Sequence, residues 1–230
     1  MMRITDVVRH LLIINVLVFF VTLLTWGDPI KEMMGTLISG SGDFADWGRY
    51  QLALFFPTSP YFRPFQLVSH MFMHADIRHL LFNMLGLYMF GSALEMHWGA
   101  RRFLFYYLFC GFGGMVLYLL VKYLEMNSGG IDEQMMKYYQ QNVPMLGASG
   151  AIFGLMVGYG TQFPDNVISL LFPPISLKAK YFVLIFAALE LVFGLGIVNL
   201  SSGVAHFAHF GGALFGFLLI LYWRKFGSRL

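Results

Sequence analysis

The chain has 230 residues, of which 58% are hydrophobic and only 12% charged. A soluble domain carries about a quarter charged residues, so this composition excludes a water-exposed globule and points to an all-α integral membrane protein with small extramembrane parts. The net charge of +3 comes with no basic run, which argues against nucleic acid as a partner, and the single cysteine, Cys110, excludes an internal disulfide.

Arg3 and Arg9 precede an apolar run from Leu11 to Leu24. No small-x-small cleavage site follows, so the run reads as an uncleaved first span, about His10 to Trp26, with Trp26 as an interfacial anchor. A long outer loop follows, 27–74, whose Pro-broken apolar pieces are too short to span and are expected to lie in the interface plane. Span two runs from about Ile77 to Met96 and span three from about Phe103 to Val121, where Cys110 reads as a structural thiol. The second outer loop, 122–148, is expected to dip towards the start of span four, Ser149 to Gln162. Span five covers about Tyr181 to Val198 and span six Val204 to Trp223. The expectation is one membrane domain, 1–230, built as a six-helix bundle around a short central fourth helix.

Six spans put both termini on one side. With the N-terminus inside, nine of the fifteen basic residues fall inside: Arg3, Arg9, Arg101, Arg102, Lys178, Lys180, Arg224, Lys225 and Arg229. The two long loops then face outward.

Span four is the anomaly. Fourteen residues make about 21 Å of helix, against a hydrocarbon core of about 30 Å. If its inner end sits at the inner surface, Ser149 stops roughly 10 Å below the outer one. Irregular backbone at that depth is tolerated only inside protein or beside a wet cavity, and a short helix start flanked by glycine points to a site.

Gly150, Gly154 and Gly158 form a small-residue stripe on span four, and Ala208, Gly212 and Gly216 form one on span six. Such stripes let helix backbones approach closely in lipid. Ser149 adjoins the first and His209 the second. If the stripes meet, a weakly nucleophilic hydroxyl faces a base able to take its proton. By spacing alone His206, one turn from His209, serves as well; the neighbouring glycine stripe favours His209, and His206 reads as a loop-facing polar residue. No acid lies near Ser149 or His209 in sequence, so a dyad is expected, with Phe153, one turn below Ser149, stacked on the imidazole or simply packed in the core. His79 and Asn83, one turn apart on span two with His74 above, are costly polar groups in a membrane helix. They read either as oxyanion donors, together with backbone N–H groups at the start of span four, or as plain interhelical hydrogen bonds. Glu190, inside span five, reads as structural pairing or a wet inner cavity.

Gly147-Ala148-Ser149-Gly150, His74-x4-His79-x3-Asn83 and Ala208-His209-x2-Gly212-x3-Gly216 together resemble the rhomboid intramembrane serine proteases, in order along all six spans. The resemblance implies a serine endopeptidase with a Ser149–His209 dyad that opens to the outer side. It implies oxyanion donors from the Ser149 backbone, His79 and Asn83, with His74 nearby and Gly147 shaping the pocket. The implied substrates are transmembrane segments of other membrane proteins, cut near the outer interface after a small residue. The implied setting is the lipid bilayer of the cell (inner) membrane, with cytoplasmic termini and no cofactor or metal. No seventh span is visible, which fits the six-helix form typical of bacterial members. Phe62-Arg63 stands where the family's first loop carries a Trp-Arg pair, and Phe153 where some members have Tyr. The alternatives are an inactive rhomboid-like protein that binds transmembrane clients, and a haem or metal protein using His74, His79, His206 and His209. For substrate entry, span five is the expected element that opens.

Overall fold

The computed structural model describes residues 4–25, 48–127, 134, 144–169, 174–195 and 206–227. The interfacial role of Trp26, residues 27–47 of the first long loop, most of the second, the C-terminal end of span five and the N-terminal end of span six lie outside them. Helix α1 covers Asp6–Thr25. A 3-10 turn, Gly48–Leu52, a short helix α2, Gln66–Ser69, and a second 3-10 turn, His70–Phe72, follow. The next segment is helical from Ile77 to Trp98 in three pieces: α3, Ile77–Gly86, a wide π turn, Leu87–Gly91, and α4, Ser92–Trp98. Then come α5, Ala100–Asn127, α6, Ser149–Gln162, strands β1, Val167–Ser169, and β2, Ser176–Lys178, α7, Ala179–Gly194, and α8, His206–Phe226.

Three of these helices, α1, α5 and α8, are long and apolar enough to cross a membrane. Their outward faces carry the large apolar side chains: Leu17, Phe20 and Leu24 on α1, Phe105 and Phe112 on α5, and Phe217 and Leu218 on α8 are all exposed. Asn15 and Thr22 on α1, and His209, Gly211, Gly212 and Gly216 on α8, are buried. A soluble protein does the reverse, since only lipid makes exposed leucine and phenylalanine free of cost. The molecule is an integral membrane protein.

The described residues form two compact units, one drawn from Met1–Arg9, Asn83–Tyr118 and Ser149–Leu230, the other from His10–Phe82 and Leu119–Ala148. In the first unit α5, α6 and α8 meet backbone to backbone. A Cβ built on Gly150 would lie 3.3 Å from the Ala208 carbonyl oxygen, one on Gly114 2.6 Å from that same oxygen, and one on Gly216 3.2 Å from the Gly154 Cα. So the two small-residue stripes do face one another over Gly150 and Gly154, and α5 adds a third glycine surface that sequence spacing did not reveal. Gly158 departs from the pattern: it faces Trp98, Leu94 and the Tyr106 hydroxyl, not α8. Beside it Trp98, Tyr106 and Trp223 pack ring to ring.

Polar ties fix the ends. The buried Glu95 carboxylate accepts the Thr5 hydroxyl and the N–H groups of Val7 and Val8, at 3.0 and 2.9 Å for the two amides. A carboxylate from α4 thereby caps α1, whose first N–H groups have no partner within the helix. Arg224 on α8 donates to the Thr161 carbonyl, 3.1 Å away, in the last turn of α6.

The antiparallel β1–β2 pair, with Ile168 opposite Leu177, was not anticipated from the sequence. Three residues per strand are too few for alternation to register. Asp165 just before it bonds Lys180 at 2.9 Å and Lys178 at 3.1 Å, and these two ammonium groups hold its carboxyl below its ordinary value.

In the second unit, Gln66 is the knot of the first long loop. Its side-chain oxygen accepts the Arg63 N–H at 3.0 Å, and its nitrogen donates to the carbonyls of Gln51 and Tyr61 at 3.0 and 3.1 Å. Arg63 turns back on its own loop and donates to the carbonyls of Pro60 and Phe62.

Candidate active site

Ser149 is the first residue of α6, so its own N–H and those of the next residues have no acceptor within the helix. The chain arrives there through a clamped segment. Leu54 and Met145 exchange both backbone hydrogen bonds at 2.8 Å, and the Gly147 N–H donates to the His70 carbonyl at 2.9 Å. Gly147 has φ +116°, a conformation that a Cβ strains, which gives this glycine a local reason to be glycine. Gly150 is closely packed for a different reason, the contact with Ala208 described above.

His209 lies one turn into α8. Its Nε2 is 2.8 Å from the Ser149 Oγ, hydrogen-bond distance for a hydroxyl donating to an imidazole. The Phe153 ring stacks on the imidazole with centroids 4.4 Å apart and planes 6° from parallel. Stacking fixes the plane of the ring, and the contact with Ser149 fixes its rotation within that plane.

The acid missing from the neighbourhood in sequence is present in space. Glu190 on α7 brings its Oε2 to 2.8 Å from the His206 Nδ1 and 3.1 Å from the His209 Nδ1. The His206 contact is a hydrogen bond; the His209 contact is close but out of line for a ring N–H, and that Nδ1 is enclosed with no aligned partner. His206 is therefore not the loop-facing residue expected. It is part-buried against Glu190, with the Phe193 ring 5.5 Å away. Spacing placed His206 on the right face of its helix but said nothing of a partner on another one.

Asn83 belongs to the same unit as Ser149 and His209 and is buried at the end of α3. His74, His79 and Gly147 belong to the second unit. There, the Asp76 carboxylate accepts the His79 N–H at 2.9 Å and caps α3, and the Ala75 N–H points at the His79 Nδ1 from 3.3 Å. A donor at Nδ1 leaves the ring proton on Nε2. The buried His74 ring stands edge-on to His79, with centroids 5.1 Å apart.

His70 was not singled out in the sequence, yet its carbonyl accepts the Gly147 N–H. It is fully buried, and its Nδ1–H donates to the Gln66 carbonyl at 2.8 Å. Burial pushes its pKa down to about 4 from 6.5, against the raising effect of that hydrogen bond. The unfolded chain therefore binds a proton, between those two values, that the folded chain refuses. Stability is complete above about pH 6.5 and is lost as pH falls towards 4, by about 2 kcal/mol at pH 5. Thermal midpoints in detergent at pH 7.5 and 5 measure this; a His70→Gln variant is expected to lose the share due to this residue.

The fold and this site define a class: a polytopic membrane protein with a serine and a histidine paired at the start of a short helix. Residues 61–226 match the family model described as the Rhomboid domain, and the chain belongs to the rhomboid family. RHOMBOID-like protein 6, mitochondrial, of Arabidopsis thaliana is 32% identical over 154 residues, 67% of this chain and 42% of that protein. The Rhomboid protease AarA of Providencia stuartii is 26% identical over 216 residues, 91% of this chain and 69% of AarA. The Rhomboid protease GluP of Bacillus subtilis (strain 168) is 26% identical over 158 residues, 66% of this chain and 24% of GluP. The chain spans about a third to just over half the length of the plant relatives it matches.

Proposed function

We propose that the chain is an intramembrane serine endopeptidase that cuts transmembrane segments of other membrane proteins. In this reading the chain is one rhomboid-type domain of six spans. Its termini are cytoplasmic in the cell (inner) membrane, and its site opens to the outer side. The observation that supports it best is the 2.8 Å contact between the Ser149 Oγ and the His209 Nε2 at the start of a fourteen-residue helix.

Ser149 attacks the scissile carbonyl carbon as its proton passes to the His209 Nε2. The carbonyl oxygen becomes an anion. The family resemblance assigns its stabilisation to the Ser149 N–H, His79 and Asn83, and supporting roles to His74 and Gly147; of these, Asn83 shares the compact unit of Ser149. His209, held flat against Phe153, then gives the proton to the leaving amine. Water completes the second half of the reaction by the same route, hydrolysing the acyl-enzyme and freeing Ser149. The helix α7 is the element that opens for substrate. Of its described residues only Ala179 and Phe182 are buried, and Leu184, Ile185 and Leu189 are exposed.

A serine-reactive fluorophosphonate tests the reading without any knowledge of the natural substrate. Protein in detergent micelles is expected to be labelled at Ser149, and Ser149→Ala and His209→Ala variants to remain unlabelled. Wild type that folds but takes no label would instead favour a rhomboid-like protein that binds transmembrane clients without cutting them.

A further inference from the structure

The contact that the dyad leaves unused is Glu190. A carboxylate within an apolar span is costly and persists only with partners. Here a single oxygen, Oε2, lies 2.8 Å from the His206 Nδ1 and 3.1 Å from the His209 Nδ1, and all three side chains are at most 15% exposed. His209 is thus bounded on three sides: Ser149 at Nε2, Phe153 on a ring face and Glu190 at the Nδ1 edge. Building on the Ser149–His209 reading above, we infer that Glu190 is a positioning residue for the reaction, the counter-ion of the His209 imidazolium, and that His206 holds it in place.

The chemistry follows from proton transfer. When the Ser149 Oγ–H bond breaks and the Oγ–C bond to the substrate forms, the proton goes to the His209 Nε2. His209 then carries an N–H at both nitrogens and a positive charge. Glu190 stays ionised throughout and takes no proton. Its negative charge beside Nδ1 favours the charged ring over the neutral one, and so favours the transition state over the ground state. The Nδ1–H of His209 is not aimed straight at Oε2, so attraction between charges carries the effect and not a directed hydrogen bond. His206 supplies the direction: its Nδ1–H donates to the same oxygen and keeps it at the edge of His209.

Glu190→Gln keeps the shape and an acceptor for His206 but removes the charge, whereas Glu190→Asp keeps the charge on a shorter arm. Initial rates with a fluorogenic transmembrane peptide in micelles separate the two roles. Glu190→Gln is expected to lower kcat about 100-fold, with KM and the thermal midpoint close to wild type. Glu190→Asp is expected to keep at least about ten times the kcat of Glu190→Gln, and His206→Ala to fall between Glu190→Gln and wild type. A residue that merely packs gives the opposite order, with Gln above Asp. That order, or a Gln variant as active as wild type, overturns the inference while leaving the dyad intact. Stoichiometric zinc in purified wild type that is lost in Glu190→Gln would also overturn it, because the three side chains would then be ligands. Wild type that neither cleaves nor takes the phosphonate label removes the dyad, and the counter-ion with it.

Discussion

Ser149→Ala is expected to lower the cleavage rate of a transmembrane substrate by at least about 10⁴-fold while leaving the protein folded in detergent. The substitution removes one oxygen whose described partner is the His209 Nε2, and alanine suits the first turn of a helix. No packing is lost with it, so the effect falls on chemistry. His209→Ala is expected to be as severe, because a serine hydroxyl without a base within reach is a poor nucleophile. The double variant is expected to be no worse than either single one, since the two residues act as a unit. Rates from gel-resolved products, with thermal midpoints from the same samples, check all three. A single variant that retains activity, or a double variant far below both singles, would separate Ser149 from His209 and break the pairing.

Gly212→Ala is expected to cost both stability and activity. A Cβ at Gly212 would press on the backbone of Gly150, lying 2.6 Å from its carbonyl carbon and 3.0 Å from its Cα, and closer still to the carbonyl oxygen. Backbone has no rotamer by which to yield, so α8 must shift away from α6. Overpacking of this kind costs about 1–3 kcal/mol. The catalytic cost follows from position: Gly150 adjoins Ser149, and His209 lies one turn from Gly212. A shift of about 1 Å between reacting groups is enough for roughly a 100-fold loss. Gly212→Val, with a branched side chain in the same gap, is expected not to yield folded protein. The thermal midpoint in detergent and the rate of phosphonate labelling measure the two effects separately.

Much of this arrangement was legible in the sequence, because lipid imposes strict rules on it. Apolar runs marked the helices, and α6 occupies the same residues, Ser149–Gln162, that the hydropathy and Pro164 delimited. The contact between the stripes was legible because close approach in lipid demands small residues, and Ser149 and His209 each adjoin one. What remained hidden was long-range and polar. Glu190 lies 16 residues from His206 and 19 from His209, on another helix, and no periodicity links them. Glu95 capping α1 across 87 residues is the same kind of contact. The π turn at Leu87–Gly91 and the three-residue strands stayed hidden because each is too short to outweigh the pattern around it. Gly158 shows the limit of stripe reasoning: helices that cross diverge, so a repeat of four stays at the crossing for only about two turns.

Mass-spectrometric mapping of peptides released from a membrane fraction, wild type against Ser149→Ala, tests the peptidase reading most directly. The expected result is a set of new termini within or beside transmembrane segments, near the outer interface and after small residues, present with wild type and absent with Ser149→Ala. Identical termini in both fractions, or cuts confined to soluble loops, would contradict it.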